Sequence, residues 1–355
     1  MARILIKNGR VWDGARFLDA DVLTDGSQIA AIEPQITEQA NMTYDAAGMI
    51  VSAGLVDLHG HFRGISPDIH GTSAEMACYP FGVTAAADAG GKLGDGALLD
   101  ALLPNNAVFA AIDIRKNRPD LETAAARLAR YGDHAAGLKL CFDATLAEVW
   151  DLAPLKEACA FAHSKKLPVM VHCSHSPVPM AEILEVLDAG DILTHAFHGG
   201  ENTAAMDDFA CIRKAQQRGV VIDVGMAGHI HTNFGVLEQA IRSGIVPDTI
   251  STDITKASAD TRGGRYGMTL CMNVAKTLGM QEEDIFKAVT ANPAKALKKE
   301  NRWGSLRVGG PADIALLNNA KEGFDLTDAA GNHIRNRAGY RCVLTMLGGQ
   351  VVYRD

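Results

Sequence analysis

Between positions 54 and 253, eight short apolar runs alternate with segments long enough to be helices; the runs fall at 54–61, 83–89, 108–114, 137–142, 168–172, 191–195, 220–224 and 249–253. Parallel strands need a crossover between them, and helices lying on the sheet supply it. Eight is the strand number at which such a sheet closes on itself. The expected fold is therefore α/β, a (β/α)8 TIM-like barrel. Segments 121–131, 155–164, 180–189, 209–218 and 236–242 carry helical periodicity with many Ala, Leu, Glu and Lys residues, as outer helices would. Segment 284–300 is expected to be one more helix, closing the barrel region, with a start marked by Pro293.

The two ends of the chain read differently. Residues 1–52 are short strand-like pieces broken by Asn8-Gly9, Asp13-Gly14 and Asp25-Gly26, and the last fifty-odd residues repeat that texture up to Gly348-Gly349. The expected organisation is a metallohydrolase barrel at 53–300 with a small β-sandwich domain built jointly from 1–52 and 301–355.

The chemistry lies where the runs end. In Val56-Asp57-Leu58-His59-Gly60-His61, strand alternation turns both histidines to one side, and paired imidazoles suit a borderline metal. An isolated H-x-H also arises by chance on a surface turn. Here it is not isolated, because His172, His195 and Asp253 close the fifth, sixth and eighth runs. In a barrel the C-terminal strand ends meet at one mouth. Lys139 sits inside the otherwise apolar fourth run, where a buried amine needs a reason, although a snorkelling lysine would also satisfy the pattern.

Composition narrows the partners. A net charge of −8 argues against a nucleic-acid groove, so no nucleic-acid partner is expected and a small-molecule substrate is. No run approaches the roughly 18 apolar residues that span a bilayer, and the first residues lack a signal-peptide core. The expectation is a cytoplasmic protein without a membrane association, and a homo-oligomer. The seven cysteines are scattered and never form C-x-x-C, as reduced, mostly buried thiols would be.

Taken together, the H-x-H of the first run, a lysine in the fourth, histidines ending the fifth and sixth and an aspartate ending the eighth resemble the amidohydrolase superfamily. Lys7-Asn8-Gly9-Arg10-Val11, Gly54-Leu55-Val56-Asp57, Thr290-Ala291-Asn292-Pro293-Ala294 and Gly304-Ser305-Leu306-Arg307-Val308-Gly309 look like further landmarks, so the likeness runs through almost the whole chain. The resemblance implies two divalent ions, zinc or alternatively manganese, bridged by an N6-carboxylysine at Lys139. It assigns His59, His61 and Asp253 to one ion and His172 and His195 to the other. It further implies a metal-bridging hydroxide as nucleophile, with Asp253 as the catalytic residue that moves its proton.

Within the superfamily the chain is similar to a dihydroorotase-like deacetylase branch, through 168–172, 190–199 and 247–253. This implies hydrolysis of an amide or ester bond, in particular an acetyl bond, in a small carboxylate-bearing substrate. Dihydroorotase or a related cyclic amidase is the alternative, favoured by Arg63 in H-x-H-x-R form and opposed by Ile254-Thr255-Lys256-Ala257-Ser258, which lacks the Ala-Pro-His of that family. A barrel that has lost catalysis is a third reading, against which the complete ligand set weighs.

Arg63 is the expected carboxylate clamp, and His229 and His231, beyond the seventh run, are expected substrate contacts. The deacetylase branch tends to carry a histidine nearer the position of Met226, which is a departure. His175 and His198 read as neighbours of ligands or of substrate, while His70, His134, His163 and His333 read as ordinary surface or packing residues. Arg262, Arg265 and Tyr266 could form a lid over an anionic substrate. Met268, Met272 and Ala275 read as the packing stripe of a following helix.

Overall fold

The computed structural model describes residues 2–62, 70–90, 105–227, 230–261, 266–320, 323–336 and 338–355. Seven of the eight predicted runs form one parallel sheet, in the order Val221–Ile222, Ile192–Thr194, Val169–His172, Ala135–Cys141, Asn106–Ile112, Val83–Asp88, Leu55–Gly60. Spatial order follows chain order, as right-handed crossovers between neighbours require. The eighth run is not assigned as a strand, yet it touches both edges: Asp223 bridges Thr249 and Gly60 bridges Ile254, each in parallel. Backbone bonds follow the same path, with Val224 N donating to Thr249 O at 3.1 Å and Asp253 N to His59 O at 2.6 Å.

Alternation along the strands separates two cores. Val169, Val171, Leu138, Leu140 and Leu193 pack with helical residues Leu155, Ala158, Ile183, Ile212 and Leu237. Met170, Ile192, Val56, Ala85 and Phe109 form a separate cluster with Leu297 and Trp303. The helices Leu121–Tyr131, Ala153–Ser164, Met180–Val186, Ala210–Arg218 and Phe234–Arg242 lie where periodicity predicts them. Their ends are chemically marked. Asp120 accepts from Thr123 N at 3.0 Å, Asn233 accepts from Val236 N at 3.0 Å, and Gly219 closes its helix in the left-handed region.

Segment 284–300 departs from expectation. It is two helices, Glu282–Ala288 and Ala291–Ala296, because Thr290 leaves the helical region at φ −134°, ψ −89°. The break is anchored: the Thr290 hydroxyl donates to Phe286 O at 2.5 Å and accepts from Trp12 Nε1 at 3.0 Å. Trp12 stacks against Phe17 and Phe286, which ties the N-terminal strands to this end of the parallel sheet.

Strands from both chain ends do share a sheet. It is one continuous eight-stranded assembly in the order Gln350–Arg354, Gly339–Leu347, Ile314–Ala320, Ile50–Ala53, Arg3–Trp12, Phe17–Asp25, Gln28–Glu33, with Met42–Asp45 beside Arg3–Trp12. Its register is set by apolar alternation, with Ile314 opposite Ala53 and Leu316 opposite Val51, and these side chains join one core with Val11, Val22 and Leu344. Among the described residues no helix is long and apolar enough to cross a membrane. All seven cysteines are free thiols, six of them buried.

Candidate metal centre

The first, fourth, fifth and sixth strands of the parallel sheet and the 249–254 run deliver six polar side chains to one place. Strand pairing sets Cys141 beside His172 and His172 beside Thr194, so neighbouring strand ends are level. His195, just past its strand, and Asp253, in the 249–254 run, both adopt the left-handed region, at φ 61° and 46°. That conformation is unfavourable for residues with a Cβ, and such strain concentrates at functional sites. Gly225 makes room: a Cβ there would lie 2.5 Å from His195 Nδ1.

Asp253 is the hub. Its Oδ1 lies 3.0 Å from both His59 Nε2 and His61 Nε2, and its Oδ2 is 3.7 Å from His195 Nε2 and 4.0 Å from His231 Nε2. The two H-x-H histidines thus reach one carboxylate, as alternation predicts. Lys139 Nζ is 3.2 Å from His59 Nε2.

The far side of each imidazole is tied off. His61 Nδ1–H donates to Gly90 O at 2.9 Å and His195 Nδ1–H to Gly225 O at 2.7 Å. His59 Nδ1–H donates to Thr194 Oγ1 at 3.1 Å, and that hydroxyl spends its own proton on Asp223 at 2.8 Å. On His172 the roles reverse, with Nε2–H donating to Asp143 Oδ2 at 3.1 Å. Each outward bond fixes a tautomer, which leaves a lone pair on the other ring nitrogen.

Burial is the main cause that lowers His59 to about 3, with the Lys139 charge second, and it likewise pulls His195 and His172 below the ordinary imidazole value. For His61 burial is outweighed by Asp253, and the net direction is upward. Burial would raise the Asp253 carboxyl, but the closeness of His59, and then of His61, holds it well below the usual carboxylate range. Burial brings Lys139 down to about 8 against the pull of Asp253.

Imidazole lone pairs facing a carboxylate could hold a cation between them. Consistent with that, Asp253 Oδ1 and His195 Nε2 are buried without a hydrogen-bond partner among the described residues. His59, His61 and Asp253 offer ligand atoms within 4.8 Å of one another, and so do His172, His195 and His231. Both groups could hold a metal ion, and nitrogen with carboxylate oxygen is the donor set of a borderline divalent ion.

A deacetylase of Enterococcus faecalis is 30% identical over 377 residues, covering 98% of this chain and 98% of its own. The chain belongs to the amidohydrolase superfamily. The amidohydrolase family profile matches residues 252–353. A deacetylase of Agrobacterium fabrum is 28% identical over 369 residues, spanning 96% of this amidohydrolase and 88% of the relative. The crystal structure of a dihydroorotase superposes with a TM-score of 0.85 at 26% identity, covering 99% of each chain. The superfamily and its deacetylase branch are thus those that the sequence motifs resemble.

Other expected residues fall as follows. Arg63, His229, Arg262 and Arg265 lie outside the described residues. His231, expected at the substrate, lies tilted against His195 and edge-on to His172, with ring centroids 4.2 and 4.8 Å away, and bonds Ser174 Oγ at 2.7 Å. Tyr266 is no lid: it is buried, and its hydroxyl donates to Thr252 O at 2.5 Å, bracing the run that ends in Asp253. His175 bonds Asp143 at 3.2 Å. His198 accepts from Gly200 N at 3.2 Å, and its Nε2 is buried without a partner among the described residues.

Three supporting carboxylates were not singled out from sequence. Asp143 joins His172 to His175. Asp223 gathers hydroxyls from Thr194, Thr249 and Ser251 at 2.8, 2.7 and 2.6 Å. Asp57 accepts from Thr252 N at 3.0 Å. A signal existed for Asp143 and Asp223, since each is an acid at the C-terminal end of a predicted run, as Asp253 is.

Proposed function

We propose that this amidohydrolase is a metal-dependent deacetylase that cleaves an amide or ester bond, most simply an acetyl bond, in a small carboxylate-bearing substrate. The observation that carries the reading is the set of four imidazoles whose outer nitrogens are bonded away, so that their lone pairs converge around Asp253 and Lys139. His59, His61 and Asp253 would hold one divalent ion and His172 and His195 the other. Zinc suits these donors best, with manganese acceptable. Lys139 would stand between them as N6-carboxylysine, which its lowered amine favours because only the neutral form adds carbon dioxide.

When bound, such ions supply a nucleophile at neutral pH and polarise the scissile carbonyl. The protein's own tasks are then three. Asp253 takes a proton as attack begins and returns it to the leaving group, a role open to a carboxylate beside the nucleophile. Arg63, two positions beyond His61, grips the substrate carboxylate with a forked pair of hydrogen bonds. His229 and His231 border the substrate, with His231 also screening the His172–His195 side.

On this reading the 249–254 run acts as the eighth stave of a closed (β/α)8 barrel at 53–300, with 1–52 and 301–355 as the appended β-sandwich domain. The enzyme works in the cytoplasm as a homo-oligomer. A substrate screen tests the function. N-acetyl and O-acetyl α-carboxylates of both hands should be turned over, and dihydroorotate should not. Turnover of dihydroorotate alone would replace this reading with the cyclic-amidase one, and turnover of none after metal loading would sink both.

A further inference from the structure

A second cluster of metal-compatible donors lies at the opposite end of the parallel sheet. Cys159 and His163 are four residues apart on the helix Ala153–Ser164 and so share one face. Asp188 and Asp191 belong to the turn entering the strand Ile192–Thr194, closed by Asp191 N donating to Asp188 O at 3.0 Å. Asp191 is only 1% exposed and accepts from Val169 N at 2.8 Å, at the start of the strand that ends in His172. Ligand atoms of Cys159, His163 and Asp191 lie within 4.8 Å of one another. His163 Nε2 is 3.0 Å from Asp191 Oδ2, and His163 Nδ1 is 3.4 Å from Asp188 Oδ2.

We propose that Cys159, His163 and Asp191, completed by Asp188 or water, form a separate structural site for a zinc-class ion. One pair of donors comes from a helix with three residues between them and one pair from a turn with two between them, the spacing by which structural zinc sites gather four ligands. A thiol with an imidazole selects zinc, cobalt or cadmium over magnesium or calcium. Burial, then the Asp191 charge, pushes the Cys159 thiol up to about 12, so it stays protonated until a cation displaces the proton to solvent. The bound ion would pin the starts of the two strands whose far ends carry His172 and His195. This inference is independent of the proposed reaction, because no catalytic group takes part.

Cobalt(II) titration of the full metal-free protein tests it, since the histidine cluster offers no thiol ligand and gives no thiolate-to-cobalt band. Wild type should develop that near-ultraviolet band with an end point of about one ion per chain. Cys159→Ser should abolish it and lower zinc content by about one ion per chain, with deacetylase activity retained. If Cys159→Ser fails to fold, His163→Gln, altered at a side chain 32% exposed, should move the band to higher cobalt concentration. Absence of the band in wild type, its survival in Cys159→Ser, or an unchanged titration in His163→Gln would overturn the site and leave His163–Asp191 as a hydrogen-bonded pair only.

Discussion

Replacing Asp143 by alanine should weaken one metal-binding step and spare the other. The carboxylate is fully buried and accepts from His172 Nε2 at 3.1 Å, from His175 Nδ1 at 3.2 Å, and from Thr145 N at 2.8 Å. Burial opposes its charge, but the His172 and Thr145 bonds prevail and hold it well below the usual carboxylate range, so an ionised acceptor orients His172. Loss of such an acceptor lowers metal affinity about 10- to 100-fold, about 1.4 to 2.7 kcal/mol at ~1.36 kcal/mol per decade. Full burial places Asp143→Ala toward the upper end. Asp143→Asn should lie lower, because an amide oxygen still accepts from Nε2–H and preserves the tautomer. Zinc titration of metal-free protein in the Cys159→Ser background, against a chromophoric chelator, reads both steps, with thermal melts checking that each variant folds. Unchanged affinity in Asp143→Ala, or equal weakening of both steps, would refute the assignment of His172 and His195 to their own ion.

Asp253→Asn should keep much of its metal yet lose about 10²- to 10⁴-fold in kcat, and wild-type turnover would remove Asp253 from proton transfer. Arg63→Met should raise KM for carboxylated substrates while leaving neutral esters alone; equal effects on both would end the clamp assignment. Carboxylation of Lys139 should quicken as pH rises toward about 8 at fixed dissolved carbon dioxide, because the neutral amine fraction grows below that value. Carbon-13 bicarbonate labelling followed by NMR reads the carbamate, and a rate flat with pH would contradict the burial argument.

The parallel sheet was legible because each strand falls in a short apolar run, several of which close on a polar residue, and alternation survives any detail of packing. That His59, His61, His172, His195 and Asp253 would gather at one place was legible for the same reason. What escaped was set by contacts between distant segments. Thr290 breaks a periodic stretch because Trp12, far away in sequence, needs its hydroxyl. Tyr266 sits in a Gly-rich stretch that reads as a loop, yet the Thr252 carbonyl draws it inward. Thr194 and Ser251 look like ordinary residues of apolar runs until neighbouring segments bring their hydroxyls onto the Asp223 carboxylate. His163 reads as a surface residue because its partner Asp191 lies on another element.

Metal stoichiometry against activity tests the central claim most directly. Metal-free Cys159→Ser protein, in which only the histidine cluster remains, should regain deacetylase activity as zinc is added, with a plateau at about two ions per chain. Full activity with no metal bound, or no metal uptake under zinc or manganese supplementation, would contradict it.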